Sequence, residues 1–350
     1  MVADGATLDG RANSADCLLG AKWCHNFIGN AAGSEATLTI SGAGSNASFL
    51  RAFVVGGLAV FRPPIENFTF GAPGGSTRAS VNVLAGGSLT TDGAQIGVGP
   101  GGSSPQGNER SFADATISGA NSVWRLTGGT LENSGAFVST ATHRNAWATL
   151  TISDGGKLWF DGRAGFTNGI NFSTGGGRSD VLVSGAGSQM FFTGDAGLMQ
   201  VGRSNGNANL SVLTGGAING VWYMSVGRDG SSGDMLIDGA NSMVRVNGTS
   251  SAAANSSNSA PGFVDIGRNG TGKLTVSNGG QLLVEANQGL TNGTGMNLGR
   301  DAASSGTLNI IGAGSVVSFS SQSVLPGGGA AEAFNPFVGV GRDGRSEERV

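Results

Sequence analysis

The chain has 350 residues, a formal net charge of −3 and 12% charged residues, without the basic patch that nucleic-acid binding demands. Glycine supplies 65 residues, far above the ordinary share, yet no every-third-residue glycine period exists, and that excludes collagen. Hydrophobic residues make up 38% and recur at short intervals, which argues against disorder, while no apolar run is long enough to cross a membrane as a helix.

In chain order, residues 1–27 read as an N-terminal cap or linker, 28–344 as a repeat array, and 345–350 as a charged tail. The first segment lacks the basic start and apolar run of a signal peptide. The last unit breaks off after Phe337-Val-Gly-Val-Gly-Arg. Both features lead to the expectation that this is a piece of something longer. Cys17 and Cys24 lie close together and fit either a small disulfide loop or two free thiols.

One complete unit is Met224 to Val246. A strand ends in Val-Gly-Arg, a polar turn follows, the strand Met-Leu-Ile leads into Gly-Ala-Asn-Ser, and Met-Val-Arg-Val closes the unit. The middle strand recurs as an apolar–x–apolar triplet at Leu38, Val81, Ala115, Leu150, Val181, Leu210, Met235, Leu274 and Leu308. Alternation puts the outer residues of each triplet on one face. The mean spacing is about 34 residues, within the range of solenoids and propellers. The turn after this strand takes two forms in strict alternation. One is Gly-Ala-Gly/Asn-Ser, from Gly42, Gly119, Gly185, Gly239 and Gly312; the other is a shorter Gly-Gly, at Gly86, Gly155, Gly215 and Gly279. Such a two-unit period predicts that neighbouring corners nest.

Three short strands per unit with tight turns predict an all-β fold, a single-stranded parallel β-helix of about nine to ten rungs. At about 4.8 Å per coil it forms a rod roughly 45 Å long. No single coil buries enough apolar surface to offset its ordering entropy, so each depends on its neighbours. Insertions are expected at Leu50–Asn67, Pro100–Asp114, Asn247–Gly262 and Ser320–Pro336.

The candidate site residues are few. Arg203, Arg228, Arg268, Arg300 and Arg342 would stack in a column, with Asp229, Asp301 and Asp343 after three of them. The column reads either as a strip for acidic glycans or lipopolysaccharide, or as salt bridges that set the register of the coils. Trp124 and Trp159 are expected to align on the third strands, pointing away from the core, where exposed rings can stack on sugars or cover an edge. Trp222 and Tyr223 read as packing residues. Cys17, Cys24, His25 and His143 do not make the four ligands of a structural zinc site, so no metal and no cofactor is expected. Glycoside hydrolysis needs two carboxylates across a cleft, and Asp161, Asp195 and Asp234 are the nearest candidates, without a marked pair.

The units Gly-x-Leu-x-Ile-x-Gly-Ala-Gly-Ser and Val-Gly-Arg-x-x-Gly resemble those in the passenger regions of bacterial autotransporters, over Ile28 to Gly344. That resemblance implies a right-handed parallel β-helix, export through the outer membrane and display at the cell surface. It implies adhesion, aggregation or biofilm formation, with glycans, other surface molecules or like chains as partners. The Gly-Asp-Ser-Gly-Ser motif of protease members is missing, with Gly194-Asp-Ala-Gly the nearest approach, so no catalytic residue carries over. The expectation is a non-enzymatic stalk or adhesin segment. The competing classes are a polysaccharide lyase or hydrolase in a groove, and a pure spacer.

Overall fold

The computed structural model describes residues 1–9, 26–29, 33–57, 59–60, 69–70, 76–99, 110–129, 135–162, 166, 168–193, 197–247, 262–286, 294–321, 336–341 and 345–349. These residues form strands and turns, with no helix among them. Strand pairing is parallel throughout, apart from a short antiparallel pair of Ala59–Val60 with Thr69–Phe70. The fold is therefore all-β and built on parallel sheets, as in a β-solenoid.

The middle strands form one 11-stranded sheet in strict chain order. Its register is set by the triplets: Leu150 pairs with Val181, Val181 with Leu210, Leu210 with Met235 and Met235 with Leu274. One side of this sheet carries the buried column, and Leu150, Leu210, Met235 and Leu274 are almost fully enclosed. The other side is open to solvent. A one-residue slip would exchange the two sides, so burial itself fixes the register.

Third strands and first strands each stack on their own kind. Three long strands, Asn46–Gly57, Ser88–Val98 and Ala217–Arg228, run without interruption from a third strand into the next first strand. Aromatic residues stack inside as the aliphatic ones do. Phe160 lies 4.3 Å from Phe192 at an interplanar angle of 17°, and Phe53 meets Trp124 edge-on.

The corners show why the turns alternate. In each Gly-Ala-Gly/Asn-Ser turn, the serine hydroxyl accepts a hydrogen bond from a glycine N–H of the neighbouring short turn. Gly86 donates to Ser122, Gly155 to Ser188, Gly215 to Ser242 and Gly279 to Ser315, at 2.9–3.2 Å. Ser122, Ser242 and Ser315 also donate back to a carbonyl four residues earlier. Each long corner thus ties off a donor that the short corner leaves unpaired. Asn121 and Asn241 take the left-handed conformation that glycine takes at Gly44, Gly187 and Gly314.

Both ends differ from the expected boundaries. Val2–Ala3 pairs with Ile40–Ser41, and Thr7–Asp9 pairs with Asn46–Ser48, so part of the segment assigned to a cap or linker, 1–27, already belongs to the sheets. Asp4 and Gly5 have positive φ of 56° and 78°, as Asp154 and Gly155 do in the short turn. Arg345–Arg349, assigned to the tail, pairs with Ser305–Asn309. Backbone pairing does not require apolar side chains, and their absence hid this strand. Two expected insertions are shorter than predicted: Leu50–Gly57 and Ser111–Asp114 are strand. Residues 248–261 and 322–335 lie outside the described residues.

Candidate functional site

The Val-Gly-Arg ends lie in register. Arg203 pairs with Arg228, and Arg228 with Arg268. The glycines before Arg203, Arg228 and Arg268 are obligatory. Gly227 has a φ of +71°, and a Cβ there would lie 1.9 Å from the Thr271 carbonyl oxygen. The backbone of the next middle strand passes directly over it.

Carboxylates interleave the guanidiniums. Asp229 lies 3.1 Å from Arg228 and 4.0 Å from Arg203, and Asp301 lies 3.9 Å from Arg268 and 3.8 Å from Arg300. A third carboxylate, Asp265, is fully buried. It accepts hydrogen bonds from Tyr223 Oη at 2.7 Å, Asn297 Nδ2 at 2.7 Å and Arg300 Nη1 at 3.0 Å. Arg268 Nη1 donates to the Tyr223 hydroxyl at 3.3 Å. Burial first, and then the Asp265 charge, raise the Tyr223 hydroxyl above its ordinary value, so it donates as the neutral phenol. Trp222 and Tyr223 form a small apolar cluster of their own with Leu198 and Phe263. Arg228 and Arg268 are almost enclosed, while Arg203 and Arg300 are partly open. Arg342, Cys17, Cys24 and His25 lie outside the described residues.

The two tryptophans do not align. Trp124 pairs with Leu158, whereas Trp159 pairs with Arg125. Trp124 is 1% exposed and belongs to the core, where its indole N–H donates to Thr91 Oγ1 at 3.0 Å. The expectation of an exposed Trp124 is therefore corrected. Val123 shares the outer side with Arg125 and pairs with Lys157, whereas Trp124 shares the inner side with Leu126. Trp159 does face outward. It stacks on Phe191 at 5.6 Å, lies under the Arg125 guanidinium at 4.6 Å, and its N–H donates to Thr193 Oγ1 at 2.7 Å. Arg125 is ion-paired with Asp161.

Asp161 and Asp234 stand on different sheets, the latter 3.4 Å from Lys273, and Asp195 lies outside the described residues. Among the described residues no group of three or more His, Cys, Asp or Glu is placed to hold a metal ion. No helix of the described residues is long and apolar enough to cross a membrane.

A site that the sequence reading missed lies on the solvent side of the middle-strand sheet. Arg78, Phe112, Trp147 and Arg178 follow one another in a single column. The adjacent column carries Ser80, Asp114, Thr149 and Asp180. Between them lies a shallow groove of about 300 Å³. Phe112 meets Trp147 edge-on at 4.9 Å, Arg78 lies over Phe112 at 5.3 Å, and Arg110 lies over Trp147 at 4.7 Å. Trp147 remains 41% exposed. The available signal was the outward phase of Phe112 and Trp147, each three residues before its triplet.

The same face is rich in Ser, Thr and Asn, with hydrogen bonds running from strand to strand. Thr37 and Ser80 hydroxyls lie 2.8 Å apart, and Asn209 Nδ2 donates to Asp180 at 2.6 Å. No protein-family model matches the chain, and neither a curated protein nor a solved structure is found to match it.

Proposed function

We propose that the chain is a non-enzymatic segment of a surface-displayed stalk or adhesin, a right-handed, single-stranded β-helix of about nine to ten rungs. It acts by presenting repeated side-chain columns to glycans, to other surface molecules or to like chains. The observation that supports this reading most is the solvated face of the middle-strand sheet. One column, Thr149, Asp180, Asn209 and Asp234, carries a hydroxyl, amide or carboxylate at each step of about 4.8 Å, an arrangement suited to many weak contacts in series. The repeat units that resemble autotransporter passengers support the cell-surface location. Interleaving of Asp229, Asp265 and Asp301 with the arginines favours a role in register for Arg203, Arg228, Arg268 and Arg300.

The test is display of the chain on a non-adherent bacterium through an unrelated anchor. Settling and attachment to host-cell and polysaccharide-coated surfaces are then measured. Gain of either is the expected result. Display at full density with no gain of settling or attachment would overturn the reading in favour of a spacer.

A further inference from the structure

Resting on that reading, we propose that the groove of Arg78, Phe112 and Trp147, with Arg110 over the Trp147 ring, is a binding site for a carboxylated polysaccharide, with sugar rings on the aromatic pair and uronate carboxylates at Arg78 and Arg110. Three observations carry it. Charge comes first. Arg125, Arg178, Arg203, Arg228, Arg245, Arg268 and Arg300 each have a carboxylate within ion-pair distance. Among the described residues Arg78 and Arg110 have aromatic rings in that place and no carboxylate within ion-pair distance, although Glu35 stands in register beside Arg78, so their charge is left for an external anion.

Shape is the second. Phe112 and Trp147 are consecutive in one column, and a step of about 4.8 Å is close to the length of one pyranose unit. A glycan running across the coils would meet a cation, two rings and a second cation in turn. Its C–H faces can pack on the rings, as amphipathic ligands do on exposed indoles.

The neighbouring column is the third. Thr149 and the carboxylates of Asp114 and Asp180 line the groove and can accept hydrogen bonds from sugar hydroxyls. The chain's net charge of −3, without a basic patch, disfavours nucleic acid. Asp180 lies 3.7 Å from Arg178, so the guanidiniums left without a carboxylate are Arg78, over Phe112, and Arg110, over Trp147. An extended peptide would need an open sheet edge for its backbone, and this site is a paired sheet face.

The experiment measures binding of the purified chain to polygalacturonate and to its carboxyl-reduced counterpart, by biolayer interferometry at low and moderate salt. Binding to polygalacturonate that weakens with salt, at least tenfold tighter than to the reduced polymer, is expected. Trp147→Ala should lose at least tenfold, with Trp147→Tyr retaining most of the affinity. The Arg78→Gln/Arg110→Gln double variant should bind both polymers alike. Circular dichroism melting of each variant identifies any loss caused by misfolding. Equal binding to both polymers by the wild type, no binding to either, full binding by Trp147→Ala, or equally tight binding to a DNA fragment would each overturn the proposal. Attachment of displaying cells that persists in Trp147→Ala would sink this site and leave the adhesin reading standing. Polymer binding without any attachment would do the reverse.

Discussion

Two groups of the same three residue types stand on the outside of this chain. Arg125, Trp159 and Phe191 stack on the third-strand sheet, and Arg110, Trp147 and Phe112 meet on the middle-strand sheet. In the first, Asp161 neutralises the arginine and Thr193 accepts the indole N–H, and both come from adjacent coils. In the second, among the described residues the guanidinium meets only the ring, and the indole is left 41% exposed. The difference is not in the aromatic residues themselves. It lies in whether the neighbouring coil supplies the anion. A complete set of internal partners makes a packing device, and an incomplete set leaves binding capacity at the surface.

Trp124 gives the scale against which both groups can be measured. It is enclosed in the core, edge-on to Phe53, and truncation leaves a large cavity. Trp124→Ala should cost about 3–5 kcal/mol, read by denaturant unfolding. A loss below about 1 kcal/mol would show that this ring is not a core residue. Trp159→Ala comes next, at about 1–3 kcal/mol, because it removes a stacked pair, a cation–π contact and a hydrogen bond on a half-open face. Trp147→Ala should change stability by less than about 1 kcal/mol, since its ring is open and its contacts are fewer. The comparison breaks if Trp147→Ala destabilises as much as Trp159→Ala.

The repeat was legible in the sequence because core burial imposes it. Every triplet from Leu38 to Leu308 lies in the predicted sheet, and the alternating corners nest through Ser122, Ser188, Ser242 and Ser315. The arginines at 203, 228 and 268 are in register as read. What escaped was the phase of a strand without a triplet. In Val123–Leu126 both faces carry a bulky apolar residue, and Arg125, two residues from Val123, is the one mark that this side is the outer one. The groove escaped for a different reason. Its residues come from four coils, and Arg110 reaches Trp147 only through the pairing of Ser111–Ser118 with Ala146–Ser153. Asp265 gave no signal at all, because its burial depends on Tyr223, Asn297 and Arg300 from other coils.

The smallest expected effect concerns how each tryptophan strand is entered. The Trp159 strand follows a short turn with Gly155 and Gly156, where only Asp154 among the non-glycine residues is left-handed. The Trp147 strand follows Ala141, His143 and Asn145, all three with positive φ and none of them glycine. His143 packs beside Gly175, where a Cβ would meet its Nδ1 at 3.4 Å. Burial lowers its pKa from the ordinary value of 6.5. The folded chain therefore takes up the proton less readily than the unfolded one. Above pH 6.5 both forms are neutral and nothing is lost; as pH falls below it, the unfolded state binds more protons and stability drops. The ring is also partly solvated, which keeps the effect small. Melting temperatures of the wild type and His143→Gln, compared between pH 7.5 and 5, should show a slightly larger acid loss in the wild type. Because carboxylates elsewhere titrate in both proteins, only the difference between the two curves reports on the histidine. Parallel curves would mean that the turn into the Trp147 strand tolerates the charged ring, and that its left-handed residues, not its protonation, govern how firmly the groove is held.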